Sequence, residues 1–217
     1  GIGKVGVVDA DCVDVTNLQR QIIHTTPDIG KPKVESAAEK IRAINPDVEV
    51  VTFRERLTKG NVLDMIRRFD AVVDGCDNFP TRYLVNDACF FAKKPLFSGA
   101  VFRFDGQVTV FKMQGDGPCY RCLFPEPPPA GLIPSCHEAG ILGAVVGVIG
   151  VIQATEVIKH FTGVGESLEG TLLIYDALAM TFRRVALRRA PDCPLCGEKP
   201  TITELVEYDQ SCEVQSR

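Results

Sequence analysis

Two Cys-x-x-Cys pairs, Cys119-Tyr120-Arg121-Cys122 and Cys193-Pro194-Leu195-Cys196, constrain this chain more than any other feature. Together they supply the four sulfurs of a tetrahedral zinc centre. Seventy residues, 123–192, separate the pairs, so this is not a small zinc ribbon. A closed site pins a distant loop to the C-terminal segment. With all four positions filled by sulfur, none is left for substrate, so such a zinc is structural. The alternative is two redox dithiols or free surface cysteines. The chain holds nine cysteines in 217 residues, an odd number. Its first residues, Gly1–Asp9, read as a strand and not as a charged-then-apolar leader. Cysteines in that setting point to metal binding and reactive thiols rather than a disulfide framework, and to the cytoplasm.

The rest of the chain alternates strand and helix signals. Val5–Asp9 is a short apolar strand ending in acid. Lys33–Ile44 has helical periodicity, with Val34, Ala37, Ala38, Ile41 and Ile44 on one face, and Asn45-Pro46 stops it. Val48–Phe53 reads as a strand, Asn61–Arg68 as a helix and Asp70–Asp74 as a second buried strand ending in acid. A helix over Thr81–Ala92 and a strand over Pro95–Ser98 follow. This alternation predicts an α/β fold, a Rossmann-like doubly wound parallel sheet. Beyond residue 100 the pattern turns antiparallel. Phe102–Arg103 and Gln107–Phe111 flank Asp105-Gly106, a hairpin signal, and Leu172–Asp176 with Thr181–Arg189 form a second pair. The expected organisation is one domain, 1–217: a nucleotide-binding α/β part over 1–112, a crossover loop over 113–137, and a C-terminal helix and strands over 138–217.

Residues 139–155 carry no charge, but four glycines interrupt the run, and Glu156 and Lys159 follow on the same helix. That argues against a membrane span. Gly140, Gly143, Gly147 and Gly150 form one helical stripe, which suits a core helix against the sheet or a subunit interface. Hydrophobic residues at 45% and charged residues at 24% exclude disorder. A net charge of −4 and a pI near 5.5 make nucleic acid an unsuitable partner.

Several strand ends carry candidate chemistry. Asp9 stands where an acid binds ribose hydroxyls in nucleotide-binding sheets, though strands also end in Asp for turn reasons. Asn17 and Arg20 are three apart, so they share a face of a helical turn, and Arg suits phosphate. Lys33 follows Gly30-Lys31-Pro32 at a helix N-terminus, an anion-binding position or a plain surface lysine. Asp77 sits in the loop after the Asp70–Asp74 strand, where a carboxylate holds Mg²⁺ beside a triphosphate; alternatively Asp77 or Asn78 caps the next helix. Cys136, in Pro134-Ser135-Cys136-His137, precedes a helix and neighbours an imidazole, so it is a candidate nucleophile. Cys12, Cys76, Cys89 and Cys212 read as core or incidental cysteines.

These motifs, in this order, resemble the ThiF/MoeB/HesA family, adenylating relatives of the ubiquitin-activating enzymes. The carriers are Val7–Asp11, Asn17-Leu18-Gln19-Arg20-Gln21, Gly30–Ala37, Asp77–Tyr83, the two Cys-x-x-Cys pairs, and Cys136 before Glu138-Ala139-Gly140. The resemblance implies Mg·ATP-dependent adenylation of the C-terminal glycine of a ubiquitin-like sulfur carrier, for cofactor biosynthesis or tRNA thiolation. It implies ribose contact by Asp9, phosphate contacts by Asn17, Arg20 and Lys33, and Mg²⁺ on Asp77. It further implies a Cys136 link to the carrier in some members, structural zinc on Cys119, Cys122, Cys193 and Cys196, and a homodimer. Two rivals remain: a nicotinamide-dependent dehydrogenase, which needs neither the cysteine quartet nor the cation cluster, and a non-catalytic carrier-binding subunit.

One departure stands out. The family begins with a strand, a Gly-rich phosphate loop, a helix and an arginine ahead of the segment that opens here, so this chain is expected to be an N-terminally truncated member. Such a chain leaves the middle of its sheet unpaired, which promotes aggregation. Calorimetric titration is expected to show weaker ATP binding by this chain than by one carrying an upstream Gly-rich segment. Equal affinity would refute the expectation.

Overall fold

The computed structural model describes residues 1–129 and 140–207. By its internal contacts the chain divides into two compact units, Gly1–Leu57 and Thr58–Arg217.

The first unit is a single β-α-β crossover. Strand β1 (Lys4–Val8) pairs in parallel with β2 (Glu49–Phe53), from Lys4↔Glu49 to Val8↔Phe53. Helix α1 (Lys33–Ile44) has the bounds its periodicity predicts and buries Val34, Ala37 and Ala38. Ile44, expected on that face, is 84% exposed, because the helix ends there and Asn45 turns extended. Between β1 and α1 the chain makes two short 3-10 turns, Val15–Asn17 and Thr26–Asp28.

Among the described residues, the second unit holds five strands in the order β3-β4-β5-β6-β7. They are β3 (Val72–Asp74), β4 (Leu96–Phe102), β5 (Asp105–Phe111), β6 (Thr171–Asp176) and β7 (Thr181–Ala186). β3 and β4 are parallel, and each later pair is antiparallel. The parallel and antiparallel parts both appear as expected. The hairpin turn does not: Asp105 and Gly106 are strand residues opposite Phe102 and Val101, and the chain reverses at Arg103-Phe104. Arg103 adopts a left-handed φ of 53° to do so.

Helix α2 (Val62–Arg67) precedes β3, and α3 (Phe79–Ala92) follows it. α3 starts two residues earlier than predicted because Asn78 caps it, accepting the Thr81 N–H at 2.9 Å, with Pro80 in the first turn. The crossover segment contains a one-turn helix, α4 (Tyr120–Leu123), in the first cysteine pair.

Helix α5 (Gly143–Thr162) covers the sheet. Its buried face is Val145, Ile149, Gln153 and Glu156, packed with Phe97, Val108, Val110, Leu168 and Tyr175. By length and composition alone it is apolar enough to cross a membrane. Its buried polar groups are, however, all spoken for by the fold. Gln153 Nε2 donates to the carbonyls of Asp74 and Phe97, and Glu156 accepts the Leu168 N–H and pairs with Lys159.

The glycine stripe is not what lets helix and sheet approach. Gly140 lies before the helix, and Gly147 and Gly150 face open space. The close approach is made by glycines of the sheet. A Cβ on Gly99 would stand 2.5 Å from the Gln153 side chain, and one on Gly106 would strike Ile149. That explains why Gly106 is a strand residue and not part of a turn. Gly99→Ala is therefore expected to destabilise the fold by about 1–3 kcal/mol. Gly150→Ala, on the open helix face, is expected to be neutral or stabilising by up to about 1 kcal/mol. Urea unfolding of the two variants measures both.

Candidate functional site

In the first unit, Asp9 and Lys33 meet at the C-terminal end of β1. Asp9 follows the strand and turns back on itself, its Oδ1 accepting the Asp11 N–H at 2.8 Å. The opening residue of α1, Lys33, places Nζ 3.5 Å from Asp9 Oδ2 and 3.2 Å from Asp11 Oδ2. Its backbone N–H is held by the Asp11 carbonyl at 2.9 Å. One cation thus sits between two carboxylates, and Asp11 is a partner that sequence reasoning had not singled out.

Asn17 and Arg20 are brought together, but by a 3-10 turn and not by an α-helix. Arg20 N–H donates to the Asn17 carbonyl at 3.0 Å, and the Arg20 guanidinium reaches back to the Thr16 carbonyl at 3.1 Å. Asn17 is buried, and its Oδ1 accepts the Asp14 N–H while Asp14 Oδ1 accepts the Thr16 N–H. This reciprocal cap needs short polar side chains at both ends. A cleft of about 370 Å³ opens beside Asp9 and Lys33, walled by Val7, Gln21, Ile23 and His24. Burial lowers the pKa of His24, whose Nδ1 lies 2.9 Å from Ser36 Oγ.

Asp77 belongs to the second unit, in the loop between β3 and α3. The choice between Asp77 and Asn78 as helix cap is resolved: Asn78 caps, and Asp77 is exposed. Around it, Asp74 and Arg82 are buried and engaged. Asp74 Oδ1 accepts the Cys76 N–H at 2.9 Å and the Cys76 thiol at 2.7 Å, and Oδ2 lies 3.2 Å from Arg82 Nη1. Burial, and then the charge of Asp74, pushes the Cys76 thiol well up, so it stays a neutral donor. Cys76 is therefore a working part of the loop and not an incidental cysteine.

The four paired cysteines converge. Their sulfurs all lie within 4.8 Å of one another, with Cys122 and Cys196 at 3.3 Å and Cys119 and Cys193 at 3.7 Å. Tetrahedral sulfurs on zinc stand roughly 3.8 Å apart for Zn–S bonds of about 2.3 Å, so the quartet fits the ion. Backbone N–H groups already point at it: Ala190 and Cys119 donate to Cys122 Sγ, and Cys196 donates to Cys193 Sγ. Such bonds stabilise thiolates. Hydrogen bonding among the sulfurs draws the Cys122 pKa down and pushes that of Cys119 up.

A buried docking of the first pair onto α3 escaped sequence reasoning. Arg121, inside the Cys-x-x-Cys, forms a two-pronged bond to Asp87, Nε to Oδ1 at 2.8 Å and Nη2 to Oδ2 at 2.9 Å. Asn86 Oδ1 accepts the Tyr120 N–H, and the Tyr83 hydroxyl donates to the carbonyls of Phe124 and Glu126. The available signal was polar residues inside an otherwise apolar helix. Cys136 lies outside the described residues.

A parallel crossover unit and a mixed sheet, with strand-end acids and a four-cysteine centre, define a nucleotide-binding type of α/β protein. Residues 1–195 match the ThiF family, and the chain belongs to it. It is 51% identical over 216 residues to the sulfur carrier protein adenylyltransferase of Thermus thermophilus, covering 98% of this chain and 80% of that protein. It is 49% identical to the SAMP-activating enzyme E1 of Haloferax volcanii over 99% of this chain and 79% of that protein. It is also 51% identical to adenylyltransferase and sulfurtransferase MOCS3 of Sus scrofa, but spans only 47% of that relative's length. Among solved structures, E. coli MccB shares the fold, with a TM-score of 0.77 at 21% identity over 96% of this chain and 61% of that one.

Asp87→Ala takes the carboxylate partner from the buried Arg121 guanidinium. A loss of about 3–5 kcal/mol is expected in thermal or urea unfolding, with metal content falling below that of the unaltered protein.

Proposed function

We propose that this chain activates the C-terminal glycine carboxylate of a ubiquitin-like sulfur carrier by transferring AMP to it from ATP, acting as one adenylation domain over 1–217. The observation that carries the reading is the 51% identity, over 98% of the chain, to a sulfur carrier protein adenylyltransferase. The carrier serves sulfur transfer in cofactor biosynthesis or tRNA thiolation.

In this reaction a carboxylate oxygen of the carrier attacks the α-phosphorus, a new P–O bond forms, and the bond to pyrophosphate breaks. Anion meets anion, so cations and positioning do the work. Asp9 binds the ribose hydroxyls, and Asn17, Arg20 and Lys33 bind the phosphates. Lys33 is held in wait by Asp9 and Asp11, and exchanges a carboxylate partner for a phosphate oxygen when nucleotide binds. Asp77, exposed at the loop tip, would hold Mg²⁺, which would supply positive charge beside the triphosphate. Cys119, Cys122, Cys193 and Cys196 would hold a structural zinc. Cys136 is the candidate nucleophile for a covalent link to the carrier: its thiolate attacks the acyl-adenylate carbonyl, a thioester forms and AMP leaves.

The open face of α5 supports homodimerisation. Val151 and Ile158 are 67% and 55% exposed, beside Gly147 and Gly150, which would let a second copy's backbone approach. The setting is the cytoplasm, with neither nucleic acid nor membrane as partner.

ATP–pyrophosphate exchange against a panel of Gly-Gly-ending carriers, by protein carrying an upstream Gly-rich segment, tests the reading. Exchange dependent on one carrier, and reduced at least 100-fold by Asp77→Ala, is expected. No exchange with any carrier in folded, metal-loaded protein would leave a non-catalytic carrier-binding subunit.

A further inference from the structure

We propose that Arg82 is a positioning residue: its guanidinium sets the Gly75–Asn78 loop so that Asp77 presents its carboxylate to the nucleotide's divalent cation. The proposal rests on the adenylation reading for what Asp77 binds, but its geometry stands alone.

Arg82 lies in the first turn of α3 and is only 7% exposed. Its planar fork joins two stretches of chain, the end of β3 with the loop after it and β4. Nη1 meets Asp74 Oδ2 at 3.2 Å and the Gly99 carbonyl at 3.0 Å, and Nη2 meets the Cys76 carbonyl at 2.7 Å. The Cys76 carbonyl belongs to the peptide plane that leads into Asp77. A peptide plane is rigid, so fixing its oxygen fixes the approach to Asp77. On the other side, the Asn78 side chain caps α3 while its carbonyl accepts the Arg82 N–H at 3.3 Å. Asp77 is thus suspended between two anchored residues, with its own side chain left in solvent.

The same guanidinium divides the labour of two acids. Asp74 and Asp77 flank Cys76, and either carboxylate has the chemistry to take a cation. Asp74 cannot, because Cys76 N–H and thiol occupy Oδ1, and Arg82 occupies Oδ2 with Ser98 Oγ at 3.5 Å. An ionised carboxylate offers about four acceptor positions, and those of Asp74 are filled. Arg82 also cancels its charge, so the field at the loop tip is that of Asp77. Lysine cannot replace this fork, since a single ammonium cannot reach the Cys76 carbonyl while bridging Asp74 and Gly99 in one plane.

The test uses the full-length protein carrying Arg82→Lys, Asp77→Asn and both together. Exchange activity is measured against Mg²⁺ concentration at saturating ATP and carrier. Arg82→Lys is expected to raise the Mg²⁺ half-saturation at least tenfold, with unfolding temperature and bound zinc near those of the parent. If Arg82 acts through Asp77, the double variant is no worse than Asp77→Asn. Multiplying losses, or an unchanged Mg²⁺ dependence, would overturn the proposal. Should Arg82→Lys fold poorly, Arg82→Gln with Asp74→Asn removes both buried charges at once. That pair is expected to keep the raised Mg²⁺ requirement, and parental behaviour would count against the proposal. Amide hydrogen exchange over residues 75–78 needs no activity. At least tenfold faster exchange in Arg82→Lys is expected there; unchanged protection overturns the positioning role even if no carrier is ever found.

Discussion

The ion pair between Asp87 and Arg121 is the interaction on which the second unit depends. It lies in the protein interior, where a lone charge would be intolerable, and it survives because both partners are saturated. Arg121 also donates to the Pro125 carbonyl, and Asp87 accepts from Asn86. Through this pair the first cysteine motif is fastened to α3 by side chains, before any metal is considered. The other end of α3 begins at the loop that carries Asp77. One helix therefore carries both the docking surface of the first cysteine motif and, at its start, the loop that carries Asp77. Arg82, Asn86 and Asp87 are its buried polar residues, and each faces a structure that the helix must hold in place.

The packing of α5 follows a different logic. Helix and sheet come close because the sheet gives up side chains at Gly99 and Gly106. That leaves the helix free to keep its own glycines on the opposite side. The space at Gly99 is filled by an amide, and Gln153 uses it to tie the end of β3 to the first half of β4. Core shape and polar satisfaction are therefore solved by the same contact.

Local signals were legible where they carried their own physics. The apolar spacing of Lys33–Ile44 and the acid-ended strands gave the crossover unit, and the Cys-x-x-Cys spacing gave the quartet. Asp105-Gly106 misled because the glycine answers to Ile149, more than 40 residues away, and not to a turn. The glycine stripe misled for the complementary reason: spacing reveals a face but not what the face meets. Asp74, Cys76, Arg82, Asp87 and Arg121 were invisible as a set, since a buried pair is recognised only when distant partners are seen together. Asp9, Asn17, Arg20 and Lys33 were legible as residues, but not the carboxylate Asp11 that shares Lys33.

The separation of the two cysteine pairs has a consequence for how the chain matures. Cys119 and Cys193 are 74 residues apart. During synthesis the first pair can dock on α3 as soon as the segment through Pro125 has emerged, presenting two sulfurs on a settled surface. The second pair arrives only after α5, β6 and β7 have been made. Closing a loop of that length has a large entropic cost, and metal binding offsets it in one step. A metal held by all four sulfurs could therefore be captured only after β7 has been made. A nascent chain that stalled before β7 would hold an open half-site, marking it chemically as unfinished.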